Sequence, residues 1–273
     1  MTRAMRGYDR GMASRATTSD LAPERPAGGE PVRAVERACR VMNAFSLETP
    51  RLTLVELARR ASLPKPTAYR IASTLVTAGF MTQGEDGRYG LGPRMMELGA
   101  VVGQNLDVVR TCSPAVDAIA GATGESVILA EPDWEAGEIM IVVRHDSAHP
   151  LSVLSPVGRR SPIPPGALGK ALLSALPEDA RRSMLSRLRL KKLTPRTHTS
   201  KKVLLAELAE ANERGFALEQ DEFVEGVSAV AVPVLFDGTR PLATIGIVGP
   251  SSRLSQAELT KLGSILRELT RSL

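Results

Sequence analysis

The sequence predicts an α+β protein in two parts: a winged helix-turn-helix near the N-terminus, and an antiparallel sheet covered by helices in the rest of the chain. Three observations predict this fold class. Two helical patterns are separated by a proline-containing break at residues 62–64. A β-hairpin pattern follows them at residues 80–91. Beyond residue 107, apolar runs of strand length occur among segments with helical spacing.

The helix-turn-helix prediction starts with an amphipathic segment at residues 32–45, where apolar side chains recur at spacings of three and four. Thr53 and Glu56 have the spacing of a capping box, which predicts that a second helix begins at Thr53. That helix ends before Pro64, because the residue preceding a proline disfavours the helical conformation. A third helix, with a proline in its first turn, is expected to end near Ala78.

The third predicted helix has a polar face that suits a DNA groove. Its apolar stripe consists of Ala68, Ile71, Ala72, Leu75 and Val76. The side chains outside that stripe are Thr67, Tyr69, Arg70, Ser73 and Thr74. An arginine can bind guanine through two hydrogen bonds, and hydroxyl groups near a helix N-terminus can bind phosphate. The same spacing also allows a purely structural interpretation, in which Thr67 is a cap and Arg70 a solvated charge.

The hairpin directly after this helix is interpreted as a wing. Two extended pieces flank a DG-containing turn. We expect Arg88 to lie at the wing tip, against the phosphate backbone or the minor groove, and Tyr89 to pack beneath the hairpin. Residues 93–106 then form a predicted linker helix whose methionine and valine stripe belongs to a core or a dimer seam.

Positive charge is concentrated in the first part of the chain. Residues 31–95 carry 10 basic and 5 acidic side chains, whereas residues 96–273 carry 20 and 21. A basic patch beside a near-neutral body is typical of a nucleic-acid-binding head, although ordinary solvated charges would give the same sum. Residues 1–30 lack an apolar period and are predicted to be a disordered tail.

The C-terminal part predicts an antiparallel sheet with helices packed on it. The predicted strands are residues 125–131, 138–144, 227–236 and 241–248. The predicted helices are residues 108–120, 166–175, 177–188, 200–214 and 255–269. Asp237-Gly238 is a hairpin signal between the last two strands. A sheet of this kind with a loop-rich face can hold a small pocket.

Several segments, in order along residues 32–273, together resemble the IclR family of bacterial transcription regulators. In the N-terminal part they are LTLVELA at residues 52–58, LPKPTAYR at 63–70 and GRYGLG at 87–92. In the C-terminal part they are LGKALL at 168–173, the Glu222 to Gly226 step, VAVPV at 230–234, DG at 237–238 and GP at 249–250.

The resemblance implies a DNA-binding winged helix-turn-helix at residues 31–92, a linker helix at 93–106, and a GAF-like α/β domain at 107–273 for effector binding and oligomerisation. It further implies a homodimer or a dimer of dimers on a pseudo-palindromic double-stranded DNA operator. The effector of such a protein is a small organic acid or an aromatic compound. The function implied is a sequence-specific transcriptional regulator controlled by that effector.

The resemblance also implies site residues. The expected DNA-contacting residues are Arg51, Lys65, Thr67, Tyr69, Arg70, Ser73 and Arg88. The expected effector-binding positions are the amides of Ala167 and Leu168, the acidic Glu219, and Ala229, Gly246 and Val248 on the late strands. These strand positions are less polar than the best-known family pattern. We therefore expect a larger, more apolar or aromatic ligand than a two- or three-carbon acid.

The sequence gives no sign of a catalytic, metal or cofactor site. Cys39 and Cys112 are in no CxxC or Cys/His cluster, and the three histidines do not have metal-ligand spacing. No transmembrane run or signal peptide is visible, so a cytoplasmic location is expected. Two alternatives remain open: a small-molecule-processing enzyme with a DNA-binding-like head, and a DNA-binding protein without a ligand.

Overall fold

The computed structural model describes residues 32–236, 240–271 and 273, so the tail predicted for residues 1–30 lies outside the described residues. The N-terminal unit consists of α1 (Arg33–Met42), β1 (Arg51–Leu52), α2 (Leu54–Arg60), α3 (Lys65–Thr77), β2 (Met81–Gln83) and β3 (Tyr89–Leu91). Helix α4 (Arg94–Asn105) follows it directly. The mixed α+β class, with a helix-turn-helix unit first, is confirmed.

The capping box begins α2 as the sequence predicts. Thr53 Oγ1 accepts a hydrogen bond from the amide of Glu56 at 3.3 Å, and Glu56 Oε2 accepts one from the amide of Thr53 at 2.8 Å. The chain then turns through Ser62, whose φ of +53° is the left-handed conformation. Pro66 lies in the first turn of α3. These local features place α3 at a fixed angle to α2 with its buried face on Ala68 and Ala72.

The wing is a three-stranded antiparallel sheet in the order β1-β3-β2. Gly87, with φ of +73°, lies in its turn, where a left-handed residue is needed. Tyr89 packs beneath the hairpin and is 2% exposed, as expected from the sequence. Strand β1 was not predicted, because two residues are too short to show an alternating pattern.

Helix α4 has no buried residue in the described chain. Its apolar side chains are instead turned outward, with Met96 80%, Val101 58% and Val102 57% exposed. The core interpretation of this stripe is therefore wrong for the single chain. The dimer-seam interpretation stays a prediction.

The C-terminal unit is a six-stranded antiparallel sheet in the order β6-β5-β4-β9-β8-β7. Its strands are β4 (Ser126–Asp133), β5 (Glu138–His145), β6 (Arg160–Pro162), β7 (Ala217–Gln220), β8 (Val227–Phe236) and β9 (Arg240–Pro250). Its helices are α5 (Asp107–Thr123), α6 (Ala167–Ala175), α7 (Glu178–Arg187), α8 (Lys201–Arg214) and α9 (Gln256–Leu269). The predicted turn at Asp237-Gly238 lies outside the described residues, but the two strands that it joins are paired.

The sheet is covered by helices on both faces. Val127 and Leu129 of β4 pack with α5 and α9, and the alternate residues Ile128 and Ala130 pack with α6 and α8. Cys112 of α5 is fully buried in the first of these layers. Within the described residues, no helix is both long and apolar enough to cross a bilayer.

Candidate functional site

Helix α3 presents the predicted DNA-contacting residues on its solvent side. Lys65, Tyr69 and Arg70 are exposed, and Thr67 and Ser73 are half-buried at the edge of the same surface. Positions four apart on a helix lie above one another, which groups the residues at 65, 69 and 73 into one row. Thr67 and Arg70, three positions apart, form a second row, so all five predicted α3 residues are accessible but in two rows.

The wing adds two further predicted contacts. The guanidinium nitrogens of Arg51 and Arg88 each lie 3.9 Å from Asp86 Oδ2, and all three side chains are about half exposed. Ion pairs this exposed and this long contribute little to stability. Both arginines therefore stay available to a phosphate backbone.

Sequence reasoning missed Arg37 as part of this surface. A cleft of about 410 Å³ lies between α1 and α3, and Arg37 and Arg70 both line it with Thr67 and Thr74. The signal was present in the sequence, because Arg33, Arg37 and Arg40 recur along α1 at spacings of four and three.

Three of the predicted effector-binding residues form one row across the large sheet. Glu219 of β7 pairs with Ala229 of β8, and Ala229 pairs with Val248 of β9. Cross-strand partners point to the same face of a sheet. Ala229 and Val248 belong to the core layer that also contains Ala167 of α6, so this row faces α6.

A cavity of about 230 Å³ lies between this row and the beginning of α6. Ala167, Leu168, Glu219, Ala229 and Val248, five of the six predicted positions, line it. Its apolar walls are completed by Ile128, Ile139, Ile141, Val153, Leu154, Pro165, Phe223, Val224 and Val227. Affinity for a ligand in such a cavity comes chiefly from buried apolar area.

Gly246, the sixth predicted position, is not among the residues that line the cavity. It pairs with Ala231 and Ile128, in the row next to that of Glu219. A Cβ atom at Gly246 would lie 3.0 Å from Leu168 Cδ2. The glycine therefore allows Leu168 to pack closely on the sheet, and its contribution to the cavity is indirect.

The first turn of α6 opens onto the cavity. Gly166 is its N-cap residue, with φ of +91°, and provides no side-chain cap. Within the described residues, the amides of Ala167 and Leu168 donate to no acceptor. Free amides and the positive end of the helix dipole favour a carboxylate at this point.

Glu219 is the one predicted position with an ionisable group. Glu219 is 5% exposed as a whole residue, and its Oε2 accepts a hydrogen bond from the amide of Phe223 at 3.1 Å. Burial raises the pKa of Glu219 to about 7, and the nearby carboxylate of Glu222 adds to the rise. This side chain therefore changes its charge near neutral pH.

An ion-pair network lies behind Glu219. Lys170 Nζ is 2.9 Å from Glu207 and 2.6 Å from Glu222, and Glu207 also contacts His198. His198, Glu207 and Glu222 have ligand atoms within 4.8 Å of one another. The ammonium of Lys170 already lies between the two carboxylates, so we interpret the cluster as an internal ion-pair network.

Other cavity residues were missed or left open by sequence reasoning. Arg159 lines the cavity wall. In the sequence it lies in a proline-rich loop, where the pattern allows either a carboxylate partner or a solvated charge. Phe223 and Val224 follow β7 and close the cavity from the side of Glu219. Phe223 and Val224 lie inside the Glu222 to Gly226 step, but only the two ends of that step carry the resemblance. Arg159 lies in a separate loop, so the sequence does not indicate that these residues come together.

The fold and the cavity define a class of protein: a transcriptional regulator that joins a DNA-binding winged helix-turn-helix to an effector domain. The family model for the IclR helix-turn-helix domain matches residues 34–85, and the model for the bacterial transcriptional regulator IclR C-terminal matches residues 100–273. The chain belongs to the IclR family.

Individual relatives agree with this assignment. The chain is 31% identical over 227 residues to the HTH-type transcriptional regulator KdgR of Escherichia coli. The aligned region covers 83% of this chain and 86% of that protein. An IclR transcriptional regulator from Alicyclobacillus acidocaldarius superposes with a TM-score of 0.79 at 25% identity, over 89% and 98% of the two chains. An IclR homologue of Microbacterium hydrocarbonoxydans, solved with 4-hydroxybenzoate, shares the fold at a TM-score of 0.72 and 24% identity, over 88% of this chain and 100% of that one.

Proposed function

We propose that this protein binds one operator sequence as a homodimer or a dimer of dimers, and that an organic acid with an apolar or aromatic body changes its affinity for that operator. Residues 31–92 bind the DNA, and residues 107–273 bind the effector and form the oligomer contacts. Residues 93–106 are the helix that links these two domains. The observation that carries the proposal is the apolar cavity at the first turn of α6 in a chain of this family.

The dimensions of the cavity favour a compact ligand. At about 230 Å³ it lies just below the usual range of ligand sites, about 300–1,000 Å³, and this size suits one ring better than an extended molecule. The structural relative that holds 4-hydroxybenzoate supports the same ligand size. The amides of Ala167 and Leu168 are the proposed partners of the acid group.

DNA recognition is assigned to α3 and the wing. Arg70 reads a base, Lys65, Thr67, Tyr69 and Ser73 position α3 in the groove, and Arg51 and Arg88 hold the flanking phosphates. Effector binding then alters operator affinity through linkage, because the ligand binds unequally to two arrangements of the heads.

The test is a fluorescence-anisotropy titration of the full-length protein on the DNA upstream of its own gene, with scrambled DNA as control, at one fixed salt concentration. A panel of aromatic and short-chain acids is added in parallel. Sequence-specific binding that one aromatic acid shifts is the expected result. Binding that ignores sequence, or that only a two- or three-carbon acid shifts, would contradict the proposal.

A further inference from the structure

Glu219 separates two cavities of opposite character. On one side it lines the apolar cavity at α6, and on the other it lines a polar cavity of about 430 Å³. The polar cavity is bordered by Lys170, Arg196, His198, Glu207, Glu210, Arg214, Gln220, Glu222 and Gln256. A proton can therefore reach the Glu219 carboxyl from the polar side while a ligand fills the apolar side.

One carboxyl oxygen of Glu219 is directed at the beginning of α6. The amides of Phe223 and Glu222 both donate to this carboxyl, and the first of them reaches Oε2 at 3.1 Å. Oε1 lies 3.7 Å from the position that a Cβ on Gly166 would occupy, so it is directed at the first turn of α6. The amides of Ala167 and Leu168, which are free in the described chain, belong to that same turn.

A ligand carboxylate on these amides would lie beside the Glu219 carboxyl. Two carboxylates at close range in a buried site do not both stay ionised; the pair holds one proton between them. The protonated partner then becomes a hydrogen-bond donor to the ionised one.

We propose, on the basis of the effector function proposed above, that an aromatic monocarboxylate binds this cavity only with Glu219 protonated, and that one proton is taken up from solution wherever Glu219 is ionised beforehand. The proton resides on Glu219, whose carboxyl then donates to one oxygen of the ligand, and the α6 amides donate to the carboxylate as well. Effector affinity is consequently coupled to pH through this one side chain.

The charges around Glu219 are compatible with this coupling. Lys170 is the nearest cation, but its ammonium is already held by Glu207 and Glu222. Arg159 lines the apolar cavity. The remaining charged or titratable side chains that border Glu219 from the polar side are Arg196, His198, Glu210 and Arg214. Because the pKa of Glu219 is raised to about 7, the protein without ligand has this carboxyl part-protonated at neutral pH.

The test is calorimetric titration of the full-length protein with benzoate and 4-hydroxybenzoate, at pH 6 and pH 8, in two buffers that differ in ionisation enthalpy. The acid binds the protonated protein, so affinity should be about tenfold weaker at pH 8 than at pH 6. We expect proton uptake near one at pH 8 and near zero at pH 6. Benzamide, which has the same ring and no charge, should bind without the pH dependence.

Two variants make the assignment specific. Glu219→Gln keeps a neutral donor, and should bind both acids with no proton uptake and with equal affinity at pH 6 and pH 8. Glu210→Gln removes an exposed carboxylate from the polar cavity and should behave like the wild type. If Glu219→Gln does not fold, the proton count of the wild type is decisive by itself.

The contradicting results are distinct. Wild-type binding of either acid at pH 8 without proton uptake overturns the coupling alone, as does unchanged uptake in Glu219→Gln. Failure of both acids to bind either protein at pH 6 overturns the proposed effector site together with the coupling.

Discussion

At the residue scale, Glu219 is a buried carboxyl that lines the proposed effector cavity. Its carboxyl is buried beneath α6 and accepts hydrogen bonds from the backbone amides of Phe223 and Glu222. Burial nevertheless raises its pKa more than these hydrogen bonds lower it, so the carboxylate destabilises the fold when it is ionised. This loss of folding stability depends on the ionisation of Glu219 and not on a bound ligand.

Glu219→Gln should stabilise the protein at alkaline pH. The pKa rises from 4.5 to about 7 in the folded chain, so the folded state keeps a proton that the unfolded state has released. Stability is therefore lost as pH rises from 4.5 to 7, by on the order of 3 kcal/mol. Urea unfolding at pH 4.5 and pH 8 measures the free energy of unfolding, which should be higher in the variant than in the wild type chiefly at pH 8. An equal difference at both pH values would contradict the burial argument.

Arg70→Ala should lower affinity for the specific operator by about 1–3 kcal/mol, because a bidentate contact with a guanine is lost. Anisotropy titrations on operator and scrambled DNA at the same salt concentration measure the effect. Arg182→Ala, which removes an exposed arginine paired with Glu178 on α7, is the control for net charge. An equal loss on both DNAs would make Arg70 a phosphate contact and contradict its assigned role.

At the element scale, Gly92 just before α4 and Gly99 within α4 differ in the space that a side chain would have. A Cβ at Gly92 would lie 2.3 Å from the carbonyl oxygen of Gly79, whereas a Cβ at Gly99 of α4 would meet nothing within 4 Å. Gly92→Ala should therefore displace the backbone between the wing and α4, and lower the thermal unfolding temperature. Gly99→Ala should raise stability by about 0.5–1 kcal/mol, since alanine is the better helix former. Melting of the two variants in the opposite order would contradict this packing.

The long elements and the wing hairpin, whose strands β2 and β3 are joined by a local turn, were predictable, and the short edge strands with distant partners were not. The capping box at Thr53 and the apolar periods of α3, β8 and β9 are properties of contiguous residues, so the sequence alone indicates them. Strands β1, β6 and β7 have two to four residues each and lie at sheet edges. Such strands depend on a partner elsewhere in the chain, which leaves no local pattern to read.

The same distinction explains what was found of the cavity. The resemblance placed Glu219, Ala229 and Val248 in one site, and the strand register shows why they share a row. It also included Gly246, which packs under Leu168 rather than lining the cavity. The contribution of Arg159 depends on how its loop folds back over the sheet, and that information is not local.

At the scale of the whole molecule, α4 has an apolar face without a partner in the described chain. Leu98, Val101 and Val102 recur at helical spacing and are exposed. Apolar side chains in this arrangement are typical of a helix–helix interface. We interpret this face as part of the proposed contact between subunits.

Val101→Glu should weaken self-association and, with it, operator affinity, because two half-sites require two heads. Light scattering coupled to size exclusion measures the oligomer over a concentration series. Ala100→Glu adds the same charge to the same helix and is the matched control, since Ala100 is exposed and lies two positions from both Leu98 and Val102, on the opposite side of α4. An unchanged oligomeric state in Val101→Glu would contradict the proposal that this face of α4 lies in the subunit interface.

The measurement that tests the central claim most directly is operator affinity with and without a bound aromatic acid, compared between the wild type and Ala229→Leu. Ala229 is buried in the cavity wall, so leucine there fills ligand space without touching α3. Ala118→Leu, on the exposed side of α5, is the control for size. The account predicts normal operator affinity in all three proteins and loss of the acid's effect in Ala229→Leu alone. An acid response that survives in Ala229→Leu would place the effector elsewhere and contradict the account.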